Sequence, residues 1–537
     1  MTQAARLPRQ IPYIMGNEAC ERFSFYGMRN ILTPFLVSTL LLYLPEAERG
    51  PMAKEVFHSF VIGVYFFPLL GGWLSDRFFG KYNTVLWFSL IYCLGHACLA
   101  VFEDNRQGFY AGLLLIALGS GGIKPLVVSF VGDQFDRSNK HLAKIVFDFF
   151  YWTINFGSFF ASLLMPIFLR NYGPAVAFGI PGILMGVATL LFWLGRKDYV
   201  RVPPTRGDDP DSFFNVARTA LTTSVAGRGN RGTQVASMGA ALAVLCLVAW
   251  SLQAWAGVDV PFWPDDFGFV VSACLALGIM IAMGGLGVSL QLERARGQHP
   301  DAAVDSVRSV LRILIVFALT TPFWSLFDQK ASTWVLQGNA MHVPHEAWWW
   351  PSWLVKEPAQ MQALNPLLIM LLIPFNNLVL YPLLRRMGFE PTPLKRMGWG
   401  IVFAGLAWVI AGFIQLQIDS GASTSLAWQV WPYLLLTFGE VLVSATALEF
   451  AYSQATQAMK GVIMAFWYLT STFGSLWVLL TNAGVRNEAV LGTIARTGYS
   501  ENAFLMFFFA AFAFVAAIGF ALYARRYKMQ DNYRAAA

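Results

Sequence analysis

The sequence alternates between long apolar runs and short polar segments. Six runs of roughly 20 residues or more precede residue 195, at about 16–44, 53–76, 81–101, 108–131, 143–168 and 174–194. Two more lie at about 236–256 and 264–292, and six others at about 308–337, 360–386, 394–417, 428–456, 459–484 and 502–524. Because about 20 apolar residues cross a bilayer as a helix, the pattern predicts fourteen transmembrane helices.

The order of the runs predicts two equal halves. We predict N-terminal and C-terminal six-helix bundles at 16–194 and 308–524, a polar linker at 195–235, an inserted two-helix hairpin at 236–292, and cytoplasmic ends at 1–15 and 525–537. Similar basic, glycine-containing segments, 71–82 and 381–398, join the second and third spans of each half. Two such halves are the plan of major facilitator transporters, whose substrate binds near the membrane midplane. The predicted fold class is an all-α membrane protein with this fold.

Composition and loop charge support a protein embedded in the membrane. The chain is 56% hydrophobic and 13% charged, whereas soluble domains carry about 25% charged residues. The net charge of +7 does not require a nucleic-acid partner, because basic residues concentrate in alternate loops, as the positive-inside rule predicts. These loop residues include Arg77, Lys81, Arg196, Lys197, Arg294, Arg296, Arg385, Arg386, Arg525 and Arg526. We expect a multi-pass protein of the cell inner membrane with both termini cytoplasmic and no cleaved signal peptide.

The first span carries charges that a lipid-facing helix would not tolerate. A charge at the centre of a spanning helix costs at least about 2.5–3.5 kcal/mol, so such residues face a polar interior. On a helix, Glu18, Glu21, Arg22, Tyr26 and Arg29 fall within an arc of roughly 140°. One alternative is a cluster that only joins two helices. Two acids and two bases on one face favour a site for a proton and a ligand.

Other polar residues of the first half lie within apolar runs. Lys124 needs a partner there, for which Glu18 or Glu21 is available, unless its ammonium reaches the interface. Further candidates are Tyr65, His58 and the pair Tyr151 and Asn155, which share one helical face. A structural role for His58 is as consistent with the sequence as titration near physiological pH.

The second half supplies acidic residues. Trp324 and Asp328 are four residues apart, as are Glu440 and Ser444, and Asn365 and Trp467 lie in other spans of this half. Spacing alone favours packing roles for the tryptophans, but burial favours functional roles for Asp328 and Glu440. A zwitterionic ligand would fit between cations of the first half and acids of the second. Such a balanced set of charges offers a physical route to proton coupling.

Several motifs resemble those of the proton-dependent oligopeptide transporter family, in the expected order along residues 11–525. Segments 18–26 and 149–158 are similar to its ExxERFxYY and FYxxINxGS motifs. Segments 323–334 and 439–454 are similar to its FWALFDQQGSTW and GE…S…LEFxYSQ motifs. The segment GGWLSDRFFGKY at 71–82 resembles the short loop motif of the wider superfamily, in which Asp76 and Arg77 would act as a gate.

The resemblance implies a role for each matching residue. Arg29 and Lys124 would receive a peptide carboxylate, and Glu440 its amino end. The rest of the implied peptide site comprises Tyr26, Tyr65, Tyr151, Asn155, Trp324, Asn365, Ser444 and Trp467. The implied proton-coupling set comprises Glu18, Glu21, Arg22, Lys124, Asp328 and His58.

Two positions depart from the family pattern. Phe25 replaces the first tyrosine of its motif and removes a hydroxyl. Lys330 replaces a glutamine two residues after Asp328. Because two residues on an α-helix diverge by about 200°, we expect Lys330 to point away from the site.

The predicted function is therefore proton-coupled symport of di- and tripeptides by alternating access, driven by the proton gradient without a cofactor. A carrier of nitrate or another organic anion is the alternative within the family. A membrane enzyme is disfavoured because HExxH and GxSxG motifs do not occur in a suitable context, and a channel would not need opposite charges in the two halves.

The five cysteines have no metal-ligand spacing. The partners expected are peptides, protons and lipid, with a functional monomer. Side-chain preference, stoichiometry and the task of the 236–292 hairpin stay open.

Overall fold

The computed structural model describes residues 8–135, 140–204, 209–224, 229–261, 263–265, 267–454 and 459–527. Within these ranges the regular secondary structure is helical, and β-pairing is limited to two isolated bridges. Residues 1–7 and 528–537 of the predicted terminal segments lie outside the described ranges.

Five helices form the first half. They are α1 Ile11–Phe35, α2 Glu46–Leu74, α3 Gly80–Val101, α4 Arg106–Asp133 and α5 Lys140–Leu194. Helix α5 is interrupted at Gly173, whose φ of 81° suits a residue without a Cβ, and Pro174 follows it. The two arms of α5 therefore supply the fifth and sixth spans.

The remaining helices form a middle segment and the second half. The middle segment contains α6 Phe213–Thr222, α7 Arg231–Ala256 and α8 Phe269–Gln291. The second half contains α9 Asp301–Asp328, α10 Thr333–Asn339, α11 Leu364–Phe375, α12 Tyr381–Arg386, α13 Pro393–Asp419, α14 Val430–Gln454, α15 Lys460–Arg486, α16 Glu488–Arg496 and α17 Glu501–Arg526.

The spans can be counted from these helices. Among the described residues, 11 helical stretches are long and apolar enough to cross a membrane. Two of them, Glu46–Val101 and Phe149–Lys197, each contain two spans that meet at a glycine of positive φ, Gly80 or Gly173. Helix α1 is not one of the 11, and it contains Glu18, Glu21, Arg22 and Arg29. Adding these spans gives the predicted arrangement of six, two and six.

Each half has its own hydrophobic core. Residues of α1 to α5 form one cluster of buried side chains. A second cluster joins helices α9, α10, α13, α14, α15 and α17 and also includes residues from α6 and α8. Buried polar side chains, Arg29 and Asp328 among them, lie between the two cores.

The linker predicted at 195–235 contains a helix that we did not predict. Phe213, Val216 and Ala220 of α6 are buried against the core of the second half. Their spacing of three and four residues is that of an amphipathic helix. The Gln291 amide donates a hydrogen bond of 3.0 Å to the Ala220 carbonyl and so ties α6 to the end of α8.

The inserted hairpin lies at the periphery, yet α8 contacts both halves. Helix α7 exposes Leu242, Val244 and Val248 on its outer face, as expected of a surface that meets lipid. Helix α8 joins a separate apolar cluster made of Ile62 from α2, Val271 and Cys274 from α8, and Leu476 and Leu479 from α15. The hairpin therefore covers the seam where α2 meets α15.

We expect Gly71→Ala to destabilise the first half, whereas Gly72→Ala is tolerated. A Cβ on Gly71 would lie 2.8 Å from the Cα of Gly122 on α4, whereas nothing lies within 4 Å of a Cβ on Gly72. Overpacking of this kind costs about 1–3 kcal/mol, so Gly71→Ala should lower the melting temperature of the purified protein. Equal melting temperatures for these neighbouring variants would contradict the close approach of α2 and α4.

Candidate functional site

A cavity of about 300 Å³ lies between the two halves, within the size range of small-molecule sites. One wall comes from α1, α2, α4 and α5, and the other from α9, α11, α14 and α15 with the turn after α9. Every residue predicted to bind peptide lines it: Tyr26, Arg29, Tyr65, Lys124, Tyr151, Asn155, Trp324, Asn365, Glu440, Ser444 and Trp467. The structure thus brings together residues separated by more than 400 positions in the sequence.

Helix α1 places an acid–base cluster at one edge of this cavity. Arg22 Nε lies 3.0 Å from Glu18 Oε1 and also contacts the Glu21 carboxylate. Glu18 and Arg22 line the cavity, whereas the side chain of Glu21 is fully buried behind them. One buried guanidinium therefore compensates two buried carboxylates.

The predicted ion pair between Lys124 and one of these glutamates is wrong. The Lys124 ammonium instead lies 3.5 Å from the ring centroid of Phe25 and 4.9 Å from that of Tyr65. Among the described residues it has no ion pair or hydrogen bond. Aromatic faces stabilise a desolvated cation, which explains how the ammonium is buried without a carboxylate. Lys124 is thus a cation at the cavity wall that a ligand can approach.

An ion pair joins the two halves beside the cavity. Arg29 Nη2 on α1 donates to Asp328 Oδ1 at the end of α9 over 2.6 Å. Ser471 on α15 donates to the second carboxylate oxygen over 2.8 Å. The exposed fractions of the two charged side chains are only 6% and 1%. Separating the halves at this point would expose two charges that now satisfy each other.

Glu440 belongs to a separate network of hydrogen bonds, which lies within the second half. Asn365 donates from its Nδ2 to Glu440 Oε2 over 2.6 Å and to Thr437 Oγ1 over 3.1 Å. The other end of the same amide, Asn365 Oδ1, accepts a hydrogen bond of 2.7 Å from Lys330 Nζ. One amide side chain therefore separates a carboxylate from an ammonium.

The prediction that Lys330 points away from the site is wrong, because Lys330 lines the cavity. The prediction assumed a continuous α-helix, but α9 ends at Asp328 and residues Gln329–Ala331 form a 3-10 turn. Ser332 then leaves helical geometry, with φ −125° and ψ −78°. The chain changes direction here, so helical angles measured from Asp328 no longer locate the lysine.

His58 lies outside the cavity lining, in the contact between the halves. Its Nε2 is 3.0 Å from Ser332 Oγ, and its Nδ1 is 3.4 Å from Ser475 Oγ. Among the described residues, Asp328 forms hydrogen bonds with Arg29 and Ser471, and His58 does not bind the carboxylate directly. His58 therefore links α2 to the segment after α9 and to α15.

The loop residues Asp76 and Arg77 lie in a π-helical turn, Ser75–Phe79, between α2 and α3. Asp76 is exposed. A nearby ion pair joins Lys81 of α3 to Asp133 of α4 over 2.7 Å, within the first half. A gating role for Asp76 and Arg77 stays a prediction.

Sequence reasoning missed several polar residues of the site. Ser471 binds Asp328, Gln362 lies in the cavity wall, and the ring of Tyr468 stacks with that of Tyr65 at 6.4 Å between centroids. Tyr468 and Ser471 follow Trp467 on one helix, and one-turn spacing from it could have identified Ser471. Gln362 lies in a 3-10 turn before α11, where apolar periodicity gives no signal.

Hydrogen bonds also join the two halves near the end of α1. This side of the cavity faces away from residues 8 and 527, where the described chain begins and ends. Thr33 Oγ1 donates to the Ala331 carbonyl over 2.8 Å, and Gln362 Nε2 donates to the Asn30 carbonyl over 3.1 Å. Farther out, Arg486 at the end of α15 pairs with Glu55 near the start of α2 at 2.5 Å. These contacts join the two halves on this side of the cavity.

Comparison with known proteins identifies the family. The PTR2 model, described as POT family, matches residues 82–488. The chain belongs to the POT family. Among curated POT relatives, peptide transporter 3 of Caenorhabditis elegans is 30% identical over 429 residues, which are 77% of this chain and 51% of that protein. The chain thus spans about half the length of the curated relatives that it matches.

Solved structures of POT proteins match nearly the whole chain. An in meso crystal structure of the POT family transporter PepTSo has 63% identity and a TM-score of 0.92, covering 98% of this chain and 100% of that one. A structure described as an auto-inhibited POT family peptide transporter has 62% identity and a TM-score of 0.91, covering 98% and 99%. The predicted family and the major facilitator fold are confirmed. So is the prediction of a transporter family rather than an enzyme family.

Proposed function

We propose that this POT protein is a proton-coupled symporter that imports di- and tripeptides by alternating access. The observation that carries the proposal is the Arg29–Asp328 ion pair, which joins the two halves. It lies beside a cavity that offers Lys124 on the wall of the first half and Glu440 on the wall of the second half. Proteins named as peptide transporters among its relatives support the same substrate class. The setting that we propose is the inner membrane, with both termini cytoplasmic and the monomer as the working unit.

The charges of the cavity fit a peptide in one orientation. Lys124 offers an ammonium without a carboxylate partner among the described residues, and Arg29 lies on the same wall. The peptide carboxylate binds there. On the opposite wall, the peptide ammonium takes the place of the Asn365 amide on Glu440. Tyr26, Tyr151 and Asn155 lie between these ends and contact the backbone.

Proton coupling follows from competition for Asp328. While the carboxylate is ionised, it holds Arg29 and keeps the two halves joined. A proton on Asp328 neutralises it and releases Arg29 to the peptide carboxylate, so that proton and peptide load together. The cluster of Glu18, Glu21 and Arg22 supplies a second protonatable group on the same helix.

The decisive experiment measures dialanine uptake by the purified protein in liposomes, with and without an inward proton gradient. We expect accumulation that an uncoupler abolishes. Gradient-independent equilibration would leave a facilitator and overturn the coupling. If the protein neither takes up nor exchanges dialanine or longer peptides but transports nitrate or another anion, the peptide proposal is overturned.

We expect Glu440→Gln to weaken dialanine binding by about 30-fold or more. Loss of one partner of a buried charge pair costs roughly 2–5 kcal/mol, and about 2 kcal/mol is a 30-fold change. The affinity for N-acetyl-dialanine, which has no ammonium, should change much less. Inhibition constants measured in counterflow give the affinity for each peptide.

The matched control for this variant is Thr437→Val. Thr437 also binds Asn365, at 3.1 Å, but carries no charge. We expect it to keep the difference between free and blocked peptides. Equal losses for the two peptides in Glu440→Gln would remove Glu440 from recognition of the amine.

A further inference from the structure

Lys330 places a positive charge on the wall that holds the amino end of the peptide. The cations Arg22, Arg29 and Lys124 all line the cavity from the first half. Lys330 is the only cation that lines it from the second half within the part of the chain described by the structure. Neither the peptide carboxylate site nor the proposed coupling uses this residue.

The surroundings of Lys330 leave its ammonium incompletely satisfied. Its Nζ donates to Asn365 Oδ1 over 2.7 Å and lies 3.3 Å from the ring centroid of Phe327. An ammonium has three donors, and among the described residues only this one hydrogen bond engages it. The side chain is 6% exposed, so another hydrogen-bond acceptor for the ammonium must come from the cavity.

Lys330 and Glu440 are linked through the same amide of Asn365. When a peptide ammonium binds Glu440, its first side chain leaves from the carbon that carries the ammonium. The first carbon of that side chain is therefore two bonds from the ammonium nitrogen, on the wall where the Asn365 amide joins Glu440 to Lys330. The second side chain begins on the far side of the peptide bond, toward the first half.

We propose that Lys330 forms a cationic subsite for the first side chain of the peptide, so that this carrier prefers acidic first residues and disfavours basic ones. The inference rests on the proposed function. A carboxylate there gains a charge-assisted hydrogen bond, whereas a lysine or arginine meets a like charge. We expect a preference of about tenfold, since buried opposite charges interact strongly in a low-dielectric site.

The test compares six dipeptides on the purified protein, namely Glu-Ala, Gln-Ala, Lys-Ala, Ala-Glu, Ala-Gln and Ala-Lys. Binding is measured by ligand-induced thermal shift, and transport by inhibition of dialanine counterflow. The wild type should bind Glu-Ala about tenfold more tightly than Gln-Ala, and Lys-Ala most weakly. The ratio between Ala-Glu and Ala-Gln serves as the positional control within the same experiment.

Two variants separate charge from shape. Lys330→Gln keeps a donor for Asn365 but removes the charge, so the ratio between Glu-Ala and Gln-Ala should fall to about one. Lys330→Arg keeps the charge and should preserve the preference. The ratio between Ala-Glu and Ala-Gln should stay the same in both variants.

Failure of the subsite and failure of the proposed function give different results. The subsite would be overturned if the wild type bound Glu-Ala, Gln-Ala and Lys-Ala with equal affinity, or if Lys330→Gln changed the affinity for all six peptides equally. Proton-driven uptake could persist in either case. Binding with the predicted preference but without proton-driven uptake would overturn the coupling and keep the subsite. Absence of binding for all six peptides would overturn both.

Discussion

Asp328→Asn is expected to abolish proton-driven accumulation of dialanine while exchange of dialanine across the membrane persists. Asparagine keeps the size of the side chain but does not ionise, so it imitates the protonated aspartate permanently. Under the proposed mechanism, Arg29 then stays free for the peptide carboxylate in every part of the cycle, and proton binding no longer controls its pairing with residue 328. Peptide can still cross, but a proton gradient cannot drive it uphill.

The size of this effect follows from the energy of the gradient. One pH unit supplies about 1.4 kcal/mol per proton, which drives about tenfold accumulation for one coupled proton. Under such a gradient the wild type should reach roughly this ratio, and Asp328→Asn should reach about one. Radiolabelled dialanine in liposomes gives both accumulation and counterflow on the same preparation.

Ser471→Ala provides the matched control. Ser471 donates to Asp328 over 2.8 Å, so this variant removes a hydrogen bond but leaves the ionisable group. Such a bond contributes about 1 kcal/mol, and accumulation should persist. Uphill uptake in Asp328→Asn would contradict the role of Asp328. Equal loss in both variants would indicate a packing defect.

Much of the site could be predicted because buried charge is costly and helices are periodic. Glu18, Arg22 and Arg29 were assigned to one interior face of α1, and all three line the cavity. Tyr151 and Asn155, four residues apart, also lie there together. These predictions required only local geometry and the cost of charge in lipid.

Pairing between helices was harder to predict. Periodicity shows which face of a helix is polar, but it does not show which distant residue will meet that face. Lys124 was assigned a glutamate partner, yet the aromatic faces of Phe25 and Tyr65 surround it. The replacement of tyrosine by phenylalanine at position 25 keeps the ring face that this contact needs.

Short segments that depart from the surrounding pattern account for the other errors. The angle assigned to Lys330 failed because α9 ends two residues earlier. Helix α6 was missed because ten residues, Phe213–Thr222, are too few to give a membrane-spanning signal. In both cases a short segment departs from the surrounding pattern, and tertiary packing decides its conformation.

Several contacts between the two halves are concentrated in one short segment. The inter-half bonds of Arg29, Thr33 and His58 converge on the short segment from Asp328 to Ser332. Lys330 lies in the same segment and faces the cavity. A change of charge at Asp328 would therefore act where the first half, the second half and the cavity meet.

Glu21→Gln is the second variant expected to lose proton-driven accumulation completely while exchange persists. Glu21 is fully buried, contacts Arg22 and does not line the cavity, so it does not touch the ligand. The variant leaves Arg22 with Glu18 alone and removes one protonatable group from the cluster. Under a gradient of one pH unit, accumulation should fall from about tenfold to about one.

Ser24→Ala is the matched control for the packing of α1. Ser24 is equally buried and donates to the Pro181 carbonyl over 2.7 Å, but it has no charge. We expect it to keep uphill uptake even if it lowers the melting temperature. Uphill uptake retained in Glu21→Gln would remove Glu21 from the coupling. Glu21 does not line the cavity, so it cannot act on the peptide directly. If Glu21→Gln loses exchange as well as accumulation, the cluster therefore maintains the structure of the site.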